Sequence, residues 1–256
     1  MARTRLAAAL VVPEPHRTEV DGLRRATGGD LGRIPPHITL VPPVNVRDDE
    51  LGLALALLRD AAAEQPGPLT LRLGPAATFA PANRVVYLEV GGSDAMVAGL
   101  AALRRTLLSG PLHRQDHRTF VPHVTLGYDL PEGDDALALS VLGAYAADVV
   151  FASVDLLAFD EVDRRWRTCA DVALGPRHVV GRGGLELELT VSTCPDPEVA
   201  ALHDAACGPD HAAGGRGRST VVVTARRAGA VVGVASAVVG VGPTGPRGWL
   251  RGVGVV

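Results

Sequence analysis

The sequence predicts an α+β protein. Strand-like and helix-like segments follow one another with short breaks through residues 3–175. A five-residue motif occurs twice, each time inside a strand-like segment. Beyond a Gly- and Arg-rich stretch at 175–184 the composition changes and a mostly β segment begins. The 256 residues allow one large domain or two smaller ones, at roughly 100–200 residues each. With 47% hydrophobic and 21% charged residues and a net charge of −3, the chain can bury a core, and general disorder is excluded. No apolar run reaches the roughly 18 residues of a membrane span, so no membrane partner is expected.

The elements follow from local pattern. Residues 4–13 read as a buried first strand; the two arginines before an apolar run faintly resemble a signal peptide, but Pro13-Glu14-Pro15 stands where a small-residue cleavage site belongs. Residues 18–27 suit a short helix before the Gly28-Gly29 break. Prolines 35, 36, 42 and 43 confine the next strand to about Ile38–Val41. Acidic residues 48–50 open a Leu/Ala-rich helix that Pro66-Gly67-Pro68 stops. Strands are expected at 69–73 and 85–90. Ser93 is a good N-cap for a helix whose Met96, Leu100, Leu103 and Leu107 form one core-facing stripe. A strand at 119–126, a helix from 132 to about 146, and a hairpin of 149–159 with 166–173 complete a domain over residues 1–176. Residues 177–184 read as a linker. In 185–256, strands are expected at 185–193, 219–227, 230–240 and 248–256, with one helix at about 195–207.

Composition also limits the chemistry. All 25 basic residues are arginine and there is no lysine, so neither a lysine Schiff base nor a phosphate-loop lysine is available. Any bound phosphate rests on arginine, backbone N–H, hydroxyl or imidazole. The cysteines, Cys169, Cys194 and Cys207, are odd in number and form no C-x-x-C pair. A zinc site or disulfide framework is therefore not expected, and a reducing, cytoplasmic setting is.

The repeat carries the chemistry. Pro36-His37-Ile38-Thr39-Leu40 recurs as Pro122-His123-Val124-Thr125-Leu126, 86 residues later. In a strand, residues i and i+2 share a face. His37 and Thr39 thus project together, as do His123 and Thr125, while Ile38 and Val124 anchor from behind. If the halves pack about a pseudo-twofold axis, the two faces make one pocket. There a neutral imidazole takes a proton, a protonated one gives it, and the hydroxyls donate to phosphate oxygens. Neither metal nor other cofactor is required. A lone histidine in a strand is usually structural, and His16, His113, His117, His178, His203 and His211 are read that way. The paired five-residue context sets His37 and His123 apart.

These paired motifs resemble the two-histidine (2H) phosphoesterases, the LigT-like or 2′–5′ RNA ligase family. The resemblance covers roughly residues 3–175 and includes the closing hairpin with Phe159 and Trp166. It implies two pseudo-symmetric lobes, each with a helix-flanked antiparallel sheet, around a central cleft. It also implies a small nucleotide or RNA terminus as substrate, carrying a 2′,3′-cyclic phosphate, a 2′–5′ linkage or an ADP-ribose cyclic phosphate, with a role in RNA processing. By carry-over, His37, Thr39, His123 and Thr125 are the catalytic set. Arg118 either reaches phosphate or remains a solvated charge, and Tyr128 is a candidate for stacking on a base. Val41-Pro42-Pro43 stands where family members often carry an aromatic, which leaves room for a smaller substrate. The alternative reading is a noncatalytic RNA- or nucleotide-binding module.

Residues 185–256 resemble the first half of a GNAT N-acetyltransferase, with Trp249–Val256 as the strand whose backbone receives the pantetheine arm. The family's pyrophosphate loop, Arg/Gln-x-x-Gly-x-Gly/Ala, does not follow within these 256 residues. The expectation is a partial GNAT-like α/β segment without acetyl-CoA binding, whose last strand offers an apolar edge for self-association; a fragment of a bifunctional phosphoesterase–acetyltransferase is an alternative reading of the chain. Gly214–Arg218 reads as a loop.

Overall fold

In the first strand, β1 (Arg3–Val11), small and branched apolar residues occupy consecutive positions, so both faces of the strand are buried. Leu6, Ala8 and Leu10 enter one apolar cluster; Ala7 and Ala9 enter another with Leu157 and Trp166. The computed structural model describes residues 2–115, 119–130, 133–181, 186–207, 218–242 and 245–255. Around β1 the chain builds β2 (His37–Arg47), β3 (Leu69–Thr78), β4 (Val85–Gly91), β5 (His123–Tyr128), β6 (Ala147–Phe151), β7 (Ser153–Asp160) and β8 (Arg165–Ala173). All pair antiparallel, in the order β6-β3-β4-β5-β2-β1-β7-β8. The sheet is two four-stranded halves whose innermost strands, β5 and β2, carry the two motifs.

Helices α1 (His16–Ala26), α2 (Leu51–Ala63), α3 (Asp94–Leu107) and α4 (Asp134–Leu142) flank this sheet. The Leu100, Leu103 and Leu107 stripe of α3 is fully buried against Leu58, Leu69 and Leu71, with Met96 packed at its margin. Ser93 caps α3, its Oγ accepting from the Met96 N–H at 3.4 Å. The opposite face carries the motif side chains beside the smaller cluster of Ala7, Ala9, Leu157 and Trp166.

Three expectations are corrected. The strand at 38–41 continues through Pro42 and Pro43 to Arg47. The pairing of β2 with β1 shifts register between Leu6↔Val44 and Ala8↔Val41, so both prolines fall in the irregularity, where no ladder N–H is missed. The strand expected at 149–159 is two strands: β6 pairs with β3 in one half, and after Ala152 β7 pairs with β1 in the other. The segment conceals the crossing because neither Gly nor Pro marks it. The strand expected from 119 begins at His123.

The C-terminal part forms a second antiparallel sheet from β9 (His178–Val180), β10 (Leu187–Ser192), β11 (Arg218–Arg227), β12 (Ala230–Gly242) and β13 (Gly245–Val255), in the order β13-β12-β11-β10-β9. The short β9 lies within the stretch read as a linker and pairs with β10. Helix α5 (Pro197–Cys207) packs on β12 and β13 over Val199, Val222 and Val234. His203 is buried there, hydrogen-bonded to Ser236 Oγ at 2.8 Å. Edge strand β8 meets this unit: the Asp171 N–H donates to the Cys194 carbonyl at 2.8 Å, and Thr193 donates from N–H and Oγ to the Asp171 carboxylate, both at 2.8 Å. Asp196 ties the units together. One of its oxygens accepts the Val199 N–H at 3.0 Å, capping α5; the other accepts Arg226 at 3.0 Å and Arg59 of α2 at 3.5 Å. At the far edge, β13 leaves Leu250, Val253 and Val255 exposed.

Candidate active site

The site is built from one register. Ile38 of β2 pairs with Val124 of β5, and both are fully buried on the helix-packed face. Residues on either side of each therefore project to the open face. Antiparallel pairing sets His37 across from Thr125 and Thr39 across from His123, so the two histidines stand diagonally. Such diagonal neighbours lie roughly 7–8 Å apart, about the span of one bridged phosphate group.

Both imidazoles are held the same way. His37 Nδ1 lies 2.8 Å from the Pro35 carbonyl, and His123 Nδ1 lies 2.8 Å from the Val121 carbonyl. A carbonyl only accepts, so each Nδ1 carries its proton and donates. Each neutral ring then presents a bare Nε2. The repeated Pro-His pair places this carbonyl two residues upstream in both strands.

His37, Thr39, Thr125 and Tyr128 line a cavity of about 350 Å³ together with Ala7, Ala9, Arg24, Arg33, Leu157 and Trp166. His123 shares the face of Thr125 but stands beside the cavity, with the rings of Phe79 and Tyr87 edge-on to it at 5.1 and 5.3 Å. Phe79 and Tyr87 stack on each other at 4.1 Å. Burial pushes the His37 imidazole down to about 4, with Arg24 and His123 acting in the same direction and the Pro35 carbonyl opposing. Burial also lowers His123, against the Val121 carbonyl.

The cavity wall over His37 is a loop clasped by Arg24. This guanidinium, only 6% exposed, donates to the Ile34 carbonyl at 3.0 Å, the Asp30 carbonyl at 2.9 Å and Asp21 at 3.1 Å. Gly29 lets the loop approach β5, since a Cβ there would lie 2.3 Å from the Leu126 carbonyl oxygen.

Of the residues singled out by sequence, Tyr128 is at the cavity mouth, 68% exposed. Arg118 lies outside the described residues, as do His117, His211 and the loop residues 214–217. Sequence reasoning missed Arg24, Phe79 and Tyr87. Arg24 looks like any helix-surface arginine, and Phe79 reaches His123 only through the pairing of β3 with β4. Among the described residues no group of three or more His, Cys, Asp or Glu side chains is placed to hold a metal ion. No described helix is long and apolar enough to cross a membrane.

The family model of the 2′-5′ RNA ligase superfamily matches residues 12–163, which include both motifs. The chain belongs to this superfamily. A relative from Bacillus mycoides (strain KBAB4), named "Putative phosphoesterase", is 32% identical over 124 residues, 48% of this chain and 69% of the relative. Another of the same name from Bacillus pumilus (strain SAFR-032) is 34% identical over 109 residues, 43% of this chain and 61% of its own. Among solved structures, E. coli LigT complexed with 3′-AMP is similar at a TM-score of 0.46 and 20% identity, covering 67% of this chain and 98% of LigT. The TT0787 protein of Thermus thermophilus is similar at a TM-score of 0.48 and 20% identity, covering 68% and 100%. The superfamily match ends short of the C-terminal sheet.

Proposed function

We propose that residues 1–176 form a metal-independent phosphodiesterase that opens a 2′,3′-cyclic phosphate, or a related cyclic or 2′–5′ phosphodiester, on an RNA-derived substrate. The observation that carries this reading is the matched pair of Nδ1–carbonyl hydrogen bonds, which leaves two Nε2 atoms and two threonine hydroxyls on one face. His37, the more strongly depressed imidazole, is neutral near pH 7 and serves as general base. It removes a proton from water as the water oxygen bonds to phosphorus. The bond from phosphorus to one ribose oxygen breaks, and protonated His123 gives that oxygen its proton. Thr39 and Thr125 donate to the nonbridging oxygens as their charge grows. A bound phosphate anion raises both imidazoles, which helps His123 hold its proton in the complex.

The pH profile follows in sign. The base must be neutral, so kcat/KM falls as pH drops through about 4. The acid must be protonated, so kcat/KM also falls as pH rises through the lowered His123 value, below the ordinary 6.5. The expected kcat/KM optimum is acidic, with kcat shifted upward in the substrate complex. A free-enzyme optimum above pH 7 contradicts the assignment of base and acid.

Residues 185–256 we read as a partial GNAT-like unit appended to this domain. The order strand, helix, strand, strand, strand supports the reading. Calorimetry with acetyl-CoA is expected to give no saturable heat for these 256 residues. Micromolar binding at one site contradicts the expectation.

A further inference from the structure

Two prolines precede the first motif histidine, and neither Pro35 nor Pro36 has an N–H to anchor it. The segment is held by its carbonyls instead. The Trp166 N–H donates to the Arg33 carbonyl at 2.7 Å, and the Val12 N–H to that of Pro36 at 2.9 Å. Between them, Arg24 Nη1 donates to the Ile34 carbonyl at 3.0 Å and His37 Nδ1 to that of Pro35 at 2.8 Å. Each of four successive carbonyls thus has its donor. Two of these donors are backbone N–H groups and one is the His37 ring itself. Arg24 is the remaining one, the side chain that sets where the Pro35 carbonyl points.

The Arg24 fork spans the loop. Its Nη2 donates to the Asp30 carbonyl at 2.9 Å, and Asp21 accepts from Nη1 at 3.1 Å, so one rigid plane pins both ends of residues 30–34. At the start of the loop the Gly29 N–H donates to the carbonyl of Arg24 at 2.7 Å. A neutral imidazole carries its proton on one nitrogen or the other, and the acceptor that meets Nδ1 decides which. Without the Ile34 anchor the Pro35 carbonyl can turn away from the ring. The form with its proton on Nε2, which cannot accept another there, then gains. The second motif is held differently. Its Val121 carbonyl follows Phe120, and Arg104 of α3 lies over the Phe120 ring at 4.5 Å. His123 therefore stands outside the Arg24 clasp.

We propose that Arg24 is the positioning residue of His37: by joining the Asp30 and Ile34 carbonyls it holds the Pro35 carbonyl on Nδ1 and so keeps Nε2 bare. Its effect on turnover rests on the phosphodiesterase reading; its effect on the ring does not. Nitrogen NMR at neutral pH reads the tautomer directly, because bare and protonated ring nitrogens resonate far apart. Wild type is expected to show His37 with its proton on Nδ1. Arg24→Gln lowers the ratio of the Nδ1–H to the Nε2–H form about tenfold, the scale of one hydrogen bond. Turnover of a nucleoside 2′,3′-cyclic phosphate then falls in kcat, by up to the same factor, with KM near wild type. Arg24→Lys keeps the charge but ends in a single nitrogen, and it shifts the ratio the same way. It carries the test should Arg24→Gln fail to fold. His123 keeps its wild-type signals throughout. So does His37 in Arg25→Gln, which removes an exposed charge one residue further along α1. An unchanged His37 tautomer in both Arg24 variants overturns the proposal. So does wild-type behaviour of Arg24→Lys, which reduces Arg24 to its charge, or a raised KM at unchanged kcat, which makes Arg24 a substrate contact. A tautomer that follows Arg24 in a chain that turns over no cyclic phosphate sinks the phosphodiesterase and leaves the positioning role standing.

Discussion

His37→Ala and His123→Ala are each expected to lower turnover of a cyclic phosphodiester by a factor of about 10² to 10⁴, the usual contribution of one general acid or base. The two losses should differ in pH dependence. Without His37 the acid limb near 4 disappears; without His123 the alkaline limb does. The double variant should lose less than the product of the two, because groups acting on one transition state are not additive. Neither change removes an apolar core contact, since the anchors are Ile38 and Val124 behind the site. Unfolding transitions should stay near wild type, and circular dichroism checks this. A variant that keeps full activity with an intact fold removes that histidine from the mechanism.

Asp196→Ala is expected to destabilise the C-terminal unit. Asp196 is 9% exposed, caps α5 and neutralises Arg226, itself 4% exposed. Removing one partner of a buried ion pair costs about 3–5 kcal/mol, because the remaining charge is uncompensated. The loss is local, so amide exchange is the better readout than a single unfolding midpoint. Residues 186–207 and 218–242 should exchange roughly a hundredfold to several thousandfold faster, at tenfold per 1.4 kcal/mol. The catalytic cavity draws no residue from that unit, so cyclic phosphodiester turnover should stay near wild type. Unchanged exchange shows that the Asp196 ion pair and cap do not stabilise the C-terminal unit.

These two effects differ in how far the sequence announced them. The motif face was legible because a period of two and a repeated five-residue string encode both the side chains and their backing residues. The α3 stripe and the Ser93 cap were legible for the same local reason. The crossing at Ala152 was not, because a strand leaving one half-sheet for the other needs no change of residue type. Pro42 and Pro43 misled, since proline excludes a ladder position but not an irregularity between two of them. Phe79 acquires its role beside His123 only through long-range pairing, as does the Asp196 cluster, whose arginines come from α2 and β11. A local pattern contains no signal for such contacts.

The central claim is that this chain breaks a phosphodiester with two imidazoles and no metal. Phosphorus NMR of a nucleoside 2′,3′-cyclic phosphate, incubated with the full chain in excess EDTA, tests it most directly. The account predicts that the cyclic resonance converts to a single phosphomonoester at an undiminished rate, and that conversion stops in the His37→Ala/His123→Ala double variant. Saturable binding of the cyclic phosphate without conversion, or conversion that ends in EDTA and returns with a divalent ion, contradicts it.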